Sequence, residues 1–202
     1  MEIELPEPDQ AGGIPVGKAI NNRRSVRDFS PAPLDKAQLS QILWAAGGKT
    51  VDGITGPTRA YPSAGAVYPL EIYAVVSGVK GISPGVYKYN WRKNTISLVK
   101  KGDLSGALSR AALHQKMVEE APLTLVITAH QGKVERAYGK RGSARYMSMD
   151  AGHMGQNVHL QAESLGLGTV MVGAFIDPDV KSIIGSEDET PVYIMPIGKP
   201  AG

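Results

Sequence analysis

The segment Leu123–Ala129, with the sequence LTLVITA, is apolar except for two threonines and carries no charged residue. A short apolar run of this kind, rich in β-branched residues, predicts a strand that is buried inside a sheet. The remaining elements of the chain must therefore be arranged around that sheet, and their order decides the fold class.

Other segments predict helices and strands in an order that does not alternate regularly. The predicted helices are 35–46, 104–115, 146–165 and 177–185. The predicted strands, in addition to the apolar segment, are 70–77, 86–89, 95–99, 169–175 and 191–197. Such an order predicts an α+β fold around one mixed sheet, in which the segments 86–89 and 95–99 form a hairpin, rather than a regular βαβ alternation.

Two local patterns belong to these helices. Asp35 and Gln38 have the spacing of a capping box at the start of the first helix. Gly152 and Gly155 lie inside the helix 146–165, although glycine has a low helix propensity. We therefore expect another helix to approach this one closely at the two glycines.

Composition excludes several classes of protein. Of the 202 residues 42% are hydrophobic and 20% are charged, which is enough apolar surface for a packed core. The chain has no cysteine, so disulfide scaffolds, cysteine metal sites and thiol nucleophiles are excluded. Residues 1–13 predict an N-terminal lead-in without a signal sequence, and residues 14–202 predict a single domain. Because no apolar run approaches about 18 residues, we expect a cytoplasmic protein that does not enter a membrane.

Motifs for several common cofactors are absent or incomplete. Residues 12–18 have the glycines and the lysine of a phosphate-binding loop, but Ala19 stands where a magnesium-binding hydroxyl is needed. No G-x-G-x-x-G follows a predicted strand, and the four histidines do not have the spacing of metal ligands. We therefore expect neither a dinucleotide-binding fold nor a metal site.

A cluster of cations precedes the first long helix. Arg23, Arg24 and Arg27 lie within five residues, together with the hydroxyl of Ser25. Guanidinium groups match the oxygens of a phosphate monoester in shape and charge, so the cluster indicates either a phosphate site or a solvated basic turn. Lys199, near the C-terminus, is a further candidate cation.

Two segments of small residues would let a flat ligand approach the backbone. One is the loop before the strand 70–77, with the residues Pro62, Ser63, Ala64, Gly65 and Ala66. The other is the end of the strand 169–175, at Val172, Gly173 and Ala174. Exposed backbone groups suit a heteroaromatic ring, and the alternatives are an ordinary tight loop and a glycine required for packing.

The order of these motifs resembles the nitroreductase superfamily, and specifically its SagB-type dehydrogenase branch. The most specific segments are 23–29, 62–69, 150–157 and 166–169, and the likeness spans residues 14–200. The resemblance implies a nitroreductase-like α+β fold with a mixed, mainly antiparallel central sheet flanked by helices. It also implies a homodimer that binds FMN at the interface between its subunits.

By this resemblance, contacts to FMN come from both subunits. The residues implied at the phosphate and ribityl chain are Arg23, Arg24, Ser25, Arg27 and Lys199. The residues implied beside the isoalloxazine ring are Pro62, Ser63, Ala64, Gly65, Ala66, Val172, Gly173 and Ala174, of which the first three would come from the other subunit. Tyr68 and Tyr138 are candidates for the substrate side. No side chain is implied as catalytic, because flavin N5 would carry the chemistry.

The implied activity is transfer of hydride or electrons between NAD(P)H and an organic acceptor of the nitro or quinone class. Ala66 and Gly173 are smaller than the side chains usual in related enzymes, which predicts a roomy pocket for a small-molecule substrate. An alternative is a SagB-type dehydrogenase of a modified peptide. Branch members that oxidise azolines use a Lys-Tyr pair, whereas Ala137 precedes Tyr138 here.

A third interpretation is a non-catalytic module that binds nucleic acid through the basic segment 133–145. Aromatic residues are sparse in this segment, and no recognised nucleic-acid-binding pattern fits it. We therefore expect no nucleic-acid partner.

Overall fold

The computed structural model describes residues 2–53 and 56–202 of the chain. Its strands are β1 (Glu2–Glu4), β2 (Lys49–Gly53), β3 (Gly56–Arg59), β4 (Leu70–Val76), β5 (Gly85–Asn90), β6 (Thr95–Lys101), β7 (Leu123–Ala129), β8 (Gly168–Thr169) and β9 (Thr190–Gly198). Its α-helices are α1 (Val16–Asn22), α2 (Lys36–Gly47), α3 (Ser105–Ala111), α4 (Lys116–Glu120), α5 (Gln131–Ser164) and α6 (Asp177–Ile184).

Seven strands form one sheet in the order β1-β6-β5-β4-β7-β9-β8, and each pairs with its neighbours in antiparallel fashion. Strand β7 lies inside the sheet, where Ile127 is paired with Ile72 of β4 and with Tyr193 of β9. All seven residues of β7 are buried. The prediction of a buried strand and of an α+β fold with a mainly antiparallel sheet is confirmed.

The sheet has an apolar cluster on each face because successive side chains of a strand point to opposite sides. In β4, Ile72 and Ala74 belong to the cluster that includes residues of α2 and α5. Tyr73 and Val75 belong to the second cluster, which includes residues of α3, α4 and α6. Helix α5 therefore covers one face of the sheet, and its other contacts position the candidate site.

Helix α5 is longer than the sequence pattern predicts. It begins at Gln131 instead of about Tyr146, and it is interrupted at Gly139, whose φ of 66° and ψ of −173° are not helical. The added part is rich in charged residues and mostly exposed, so it has no apolar stripe from which its helicity could be predicted. The interruption at Gly139 requires a positive φ, which glycine adopts without steric cost.

Three further predictions need correction. The segment 104–115 forms only α3, because Leu113 and His114 adopt positive φ angles of 57° and 60° before α4 begins. The segment 169–175 contributes only the end of β8 and a single bridge between Val172 and Ile194. Residues 2–4 are not loose, because they form β1 at the edge of the sheet.

The predicted capping box at the start of α2 is confirmed. The Gln38 backbone N–H donates to Asp35 Oδ1 at 2.8 Å, and the Asp35 N–H donates to Gln38 Oε1 at 3.0 Å. The prediction that a helix approaches Gly155 is wrong within the chain. A Cβ at Gly155 would lie 2.2 Å from the sulfur of Met171, which belongs to a loop, whereas a Cβ at Gly152 would meet nothing within 4 Å.

Within residues 2–53 and 56–202, we find no helix with both the length and the apolar character needed to cross a membrane.

Candidate functional site

The arginine-rich segment, residues 23–29, lies beside strand β8. Ser25 forms a parallel bridge with Thr169, and the Val26 N–H donates to the Thr169 carbonyl at 3.0 Å. The side chain of Val26 packs directly on the backbone of Gly168, the residue before Thr169. A Cβ added at Gly168 would lie 2.6 Å from that side chain. A glycine in β8 is therefore what allows the arginine-rich segment to lie against the strand.

The same segment continues along the C-terminus. Phe29 forms an antiparallel bridge with Pro200, and the Ser30 N–H donates to the Lys199 carbonyl at 2.8 Å. Lys199 directly follows β9, so the sheet holds it next to the arginine-rich segment. The fold thus brings Lys199 to Ser30, three residues after Arg27, although the two are far apart in the sequence.

The cationic side chains of this region have no acidic partner. Arg24 and Arg27 are exposed and Arg23 is half-buried. None of these three arginines, nor Lys199, forms a side-chain hydrogen bond or an ion pair with any residue in the described part of the chain. Unpaired cations held together by backbone contacts are suited to binding an anion.

A buried hydroxyl without a partner lies at the same place. Thr169 is 1% exposed, and its Oγ1 has no hydrogen-bond partner among residues 2–53 and 56–202. Among the described residues, the other buried side-chain oxygen without a hydrogen-bond partner is Oγ of Ser30, whose backbone is bonded to Lys199. Buried polar atoms are nearly always paired, so two unsatisfied hydroxyls along one segment indicate that a ligand or water completes the site.

His159 of α5 lies on the inner side of Arg23. The imidazole is 3% exposed, and among the described residues it has no hydrogen-bond partner. Burial, and then the positive charge of Arg23, lower the pKa of His159 to about 4. The imidazole is therefore neutral at physiological pH and adds no charge to the cation cluster.

We expect His159 to make the protein less stable in acid. Because the folded-state pKa lies below the unfolded value of about 6.5, the unfolded chain takes up the proton first as the pH falls. Between pH 7 and pH 5 this should reduce the free energy of unfolding by about 2 kcal/mol. Urea unfolding at both pH values should show this loss in the wild type and a smaller loss in His159→Leu.

The exposed His114 provides a control for this measurement, because His114→Asn removes a histidine without changing the interior. Asparagine also tolerates the positive φ of that position. Equal pH dependence in the wild type and in His159→Leu would contradict the prediction.

The loop that contains Pro62–Ala66 is attached to the middle of α5 through Asp150. The Ser63 hydroxyl donates to Asp150 Oδ2 at 2.5 Å, and the Tyr68 N–H donates to Ser63 Oγ at 3.0 Å. The backbone N–H of Ala64 lies on the same side of the Asp150 carboxylate. Burial raises the pKa of Asp150, while the Ser63 hydroxyl and the Ala64 N–H oppose that shift.

Two more contacts fix the loop on α5. His153 Nδ1 lies 3.2 Å from the Pro62 carbonyl, and Asn157 Nδ2 donates to the Ala60 carbonyl at 2.9 Å. The loop contains two non-glycine residues with positive φ, Ala66 at 55° and Tyr68 at 47°. Such strained residues are retained where the surrounding contacts enforce them, often at a ligand site.

Tyr138 reaches the same loop from the first part of α5. An added Cβ at Gly65 would lie 2.1 Å from Tyr138 Oη, so glycine is needed for this contact. The Tyr138 ring packs edge-on against Tyr146, with the two ring centres 5.1 Å apart. The side chain nevertheless remains 41% exposed, so it borders open space next to the loop.

The segment Val172–Ala174 lies beyond β8. Val172 and Ile194 exchange both backbone hydrogen bonds, and Gln115 Nε2 donates to the Ala174 carbonyl at 3.1 Å. A Cβ at Gly173 would meet nothing within 4 Å, so the backbone at this position is open. The chain therefore has an accessible backbone position four residues after Thr169.

The predicted site residues form two groups, both near the second half of α5. The loop group contacts residues 150–157, whereas the cation group lies near His159. Among the described residues, no hydrogen bond or ion pair joins the two groups. Sequence reasoning did not single out Asp150, His159 or Thr169. Asp150 and Thr169 fall inside segments that carry the family resemblance, but their contacts are with residues distant in the sequence.

Comparisons with known proteins agree with this architecture. The Nitroreductase family profile matches residues 20–199. A protein of Methanocaldococcus jannaschii that bears the name nitroreductase is 42% identical over 199 residues, which cover 98% of this chain and 96% of that protein. The chain therefore belongs to the nitroreductase family, and it is an oxidoreductase by that membership.

Solved structures show the same fold. A structure from Ralstonia eutropha that bears the name nitroreductase has a TM-score of 0.83 at 29% identity, covering 100% of this chain and 90% of that one. The NADPH:FMN oxidoreductase of Vibrio harveyi, complexed with NAD⁺, has a TM-score of 0.65 at 21% identity, covering 93% and 69%. A chain of the Escherichia coli microcin synthetase McbBCD complex has a TM-score of 0.74 at 22% identity, covering 98% and 78%.

Proposed function

We propose that the protein is an FMN-dependent oxidoreductase that transfers hydride or electrons between NAD(P)H and an organic acceptor of the nitro or quinone class. The observation that carries this proposal is the cluster of unpaired cations, formed by Arg23, Arg24, Arg27 and Lys199. It is of a size suited to one phosphate monoester, and the chain has no dinucleotide-binding fingerprint. FMN therefore fits better than FAD.

The residues around the cluster also fit the cofactor. The unsatisfied hydroxyl of Thr169 lies behind Ser25, where a phosphate or ribityl oxygen would provide a partner. The open backbone at Gly173 would let a flat ring lie against the chain. Thr169 belongs to β8, which contacts the arginine-rich segment, and Gly173 lies in the loop that follows β8.

Once bound, FMN supplies hydride transfer from a nicotinamide donor to an organic acceptor. Arg23, Arg27 and Lys199 would hold the phosphate, which fixes the position of the cofactor. Asp150 Oδ2 accepts the hydrogen bond from the Ser63 hydroxyl, which fixes the loop on α5. Tyr68 and Tyr138 would line the substrate side and limit access of water.

We further propose that two copies of the chain complete each site. Among the described residues no hydrogen bond or ion pair joins the loop group to the cation group, and in the dimer that we propose each cofactor takes one group from each subunit. Val16 and Ile20 of α1 are exposed apolar residues one helical turn apart, and Gly152 presents an open face of α5. An obligate dimer of this kind would bury more than about 2,000 Å² in total.

Absorbance of the native protein, followed by anaerobic mixing with NADH and with NADPH, tests the function. We expect a flavin spectrum, release of FMN on denaturation, and loss of the flavin absorbance after mixing with one of the nucleotides. Light scattering of the flavin-containing protein should give a dimer. If a chemical reductant bleaches the flavin but neither nucleotide does, the NAD(P)H-linked activity is wrong.

A second candidate function is a SagB-type flavin-dependent dehydrogenase of a modified peptide. Tyr138 favours it, because its exposed side chain reaches the loop proposed to face the flavin. The fold similarity to a chain of the microcin synthetase complex, whose structure holds a truncated pro-MccB17, is also consistent with it. Reduction of the bound flavin by a peptide that contains an azoline, and not by NADH or NADPH, would support this candidate over the first.

A further inference from the structure

A pocket of about 360 Å³ lies next to the loop on the side of strands β4 and β5. We call it the Trp91 pocket, and its lining includes Ala66, Tyr68, Glu71, Trp91, Arg92 and Lys133. The volume is within the range of small-molecule sites, near its lower end. The resemblance places Ala66 and Tyr68 near the ring and the substrate, but it assigns no role to Glu71, Trp91, Arg92 or Lys133.

The aromatic wall of the pocket is surrounded by guanidinium groups. The Arg92 guanidinium lies 4.1 Å from the ring centre of Trp91, and that of Arg59 lies 5.1 Å from it. Arg59 is buried and donates hydrogen bonds to the carbonyls of Gly47 and Leu70, so its position is fixed. Aromatic rings flanked by cations are suited to a planar ligand with a negative charge.

The carboxylate of the pocket is already neutralised. Glu71 lies 3.4 Å from Lys133 Nζ, 3.4 Å from His130 Nε2 and 4.0 Å from Lys88 Nζ. Glu189, the other carboxylate of this region, is bound by Lys88 at 2.8 Å. Among the described residues, Lys133 and Lys88 pair with Glu71 and Glu189, whereas Arg59 and Arg92 form no ion pair. Arg92 forms no ion pair with any described residue, so the excess positive charge lies at the mouth of the pocket.

The pocket shares a wall with the loop that is proposed to face the flavin. Ala66 and Tyr68 line the pocket, and both are the strained positive-φ residues of the loop. Ser63, three residues before Ala66, is fixed to Asp150 of α5. A ligand in the Trp91 pocket is therefore within one short loop of the proposed site of reaction.

We propose that the Trp91 pocket is a substrate subsite that binds the carboxylate of a planar aromatic acid. The carboxylate lies between Arg92 and Lys133, and the ring packs against Tyr68 beside the stacked Arg92 and Trp91 side chains. This inference rests on the proposed function, because it assigns the substrate class of that same site. It selects anionic aromatic acceptors over neutral ones of the same size.

Binding can be located with the two tryptophans of the chain, Trp44 and Trp91. The probes are 4-nitrobenzoate and 4-nitrobenzyl alcohol, which differ mainly in charge. In the Trp44→Phe variant, 4-nitrobenzoate should quench the fluorescence of Trp91 and should bind about tenfold more tightly than the alcohol, as expected for one charge-assisted contact. In Trp91→Phe the fluorescence of the remaining Trp44 should be quenched much less. Because the probe absorbs the same amount of light in both experiments, the difference between the two variants reports binding near Trp91.

Charge variants supply the control. In the Trp44→Phe background, Arg92→Gln and Lys133→Gln should each weaken 4-nitrobenzoate binding about tenfold. Lys93→Gln, which removes a neighbouring exposed charge outside the pocket lining, should not. Equal binding of the two probes, equal quenching of the two tryptophans, or insensitivity to both pocket variants would overturn the assignment.

Steady-state kinetics distinguish a wrong subsite from a wrong oxidoreductase activity. If both probes are reduced at the expense of NAD(P)H with equal KM, the oxidoreductase stands and the subsite is wrong. If 4-nitrobenzoate binds selectively at Trp91 but neither probe is reduced, the binding subsite stands and the proposed activity is wrong. A KM for 4-nitrobenzoate about tenfold below that for the alcohol, lost in Arg92→Gln, supports both.

Discussion

Replacing Arg23 and Arg27 together with alanine should lower the affinity of the protein for FMN by at least about 100-fold. Each charge-assisted hydrogen bond to a phosphate contributes about 1.5–3 kcal/mol, and a tenfold change in affinity corresponds to about 1.4 kcal/mol. The two losses together amount to at least about 3 kcal/mol, and neither arginine has an acidic partner among the described residues that would compete with the phosphate. Fluorescence titration of FMN into the flavin-free protein measures the change.

Riboflavin, which lacks the phosphate, is the matched control for this experiment. Its affinity should be nearly the same for the wild type and for the double variant, because the lost interactions are with the phosphate. Lys101→Ala provides a control for net charge, since Lys101 is exposed at the end of β6 and is not part of the cation cluster. Equal losses of affinity for FMN and riboflavin would assign the arginines to folding of the site rather than to the phosphate.

Elements with strong local signals could be predicted from the sequence. Strand β7 is apolar along its whole length, and α2 begins with a capping box that needs only Asp35 and Gln38. The residues that make up each signal lie within one short segment of the chain, so tertiary structure is not needed to interpret them. The loop at Pro62–Ala66 and the cation cluster were also visible as sequence patterns.

Elements that depend on distant contacts could not be predicted in the same way. The charged half of α5 has no apolar periodicity, and the predicted strand 169–175 belongs to β8 only at Thr169 and continues as a loop. The partners within the candidate site are equally non-local, since Ser63 and Asp150 are 87 positions apart. The unsatisfied hydroxyl of Thr169 is a property of burial, which sequence patterns do not report.

Glu189 is the buried charge on which the central sheet depends most. The carboxylate is 3% exposed and accepts hydrogen bonds from Lys88 Nζ at 2.8 Å, from Tyr73 Oη at 3.0 Å and from the hydroxyl of Thr128. Burial alone would raise the pKa of Glu189, but the hydrogen bond from Lys88, supported by Thr128 and Tyr73, holds it below its ordinary value. The group is therefore charged in the folded protein and joins residues of β4, β5 and β7.

Glu189→Ala should lower the free energy of unfolding by about 3 kcal/mol at neutral pH. Removing one member of a buried ion pair costs about 3–5 kcal/mol, and the lower end applies because the Lys88 side chain remains 37% exposed. Urea unfolding measures the loss, and Asp188→Ala is the control, since Asp188 is the exposed neighbour. Stability equal to that of the wild type would contradict the structural assignment of Glu189.

The pH dependence and a double variant distinguish the charge of Glu189 from its packing. Because the folded-state pKa is lowered, the stabilisation is present above the unfolded pKa of about 4.3 and is lost as the pH falls through the folded value. The difference between the wild type and Glu189→Ala should therefore shrink in acid. The double variant Glu189→Leu with Lys88→Met should recover much of the loss at neutral pH, because apolar residues of similar volume can replace a buried ion pair. If the double variant is no more stable than Glu189→Ala, the unpaired lysine is not the cause of the loss, and the hydrogen bonds to Tyr73 and Thr128 carry the stabilisation instead.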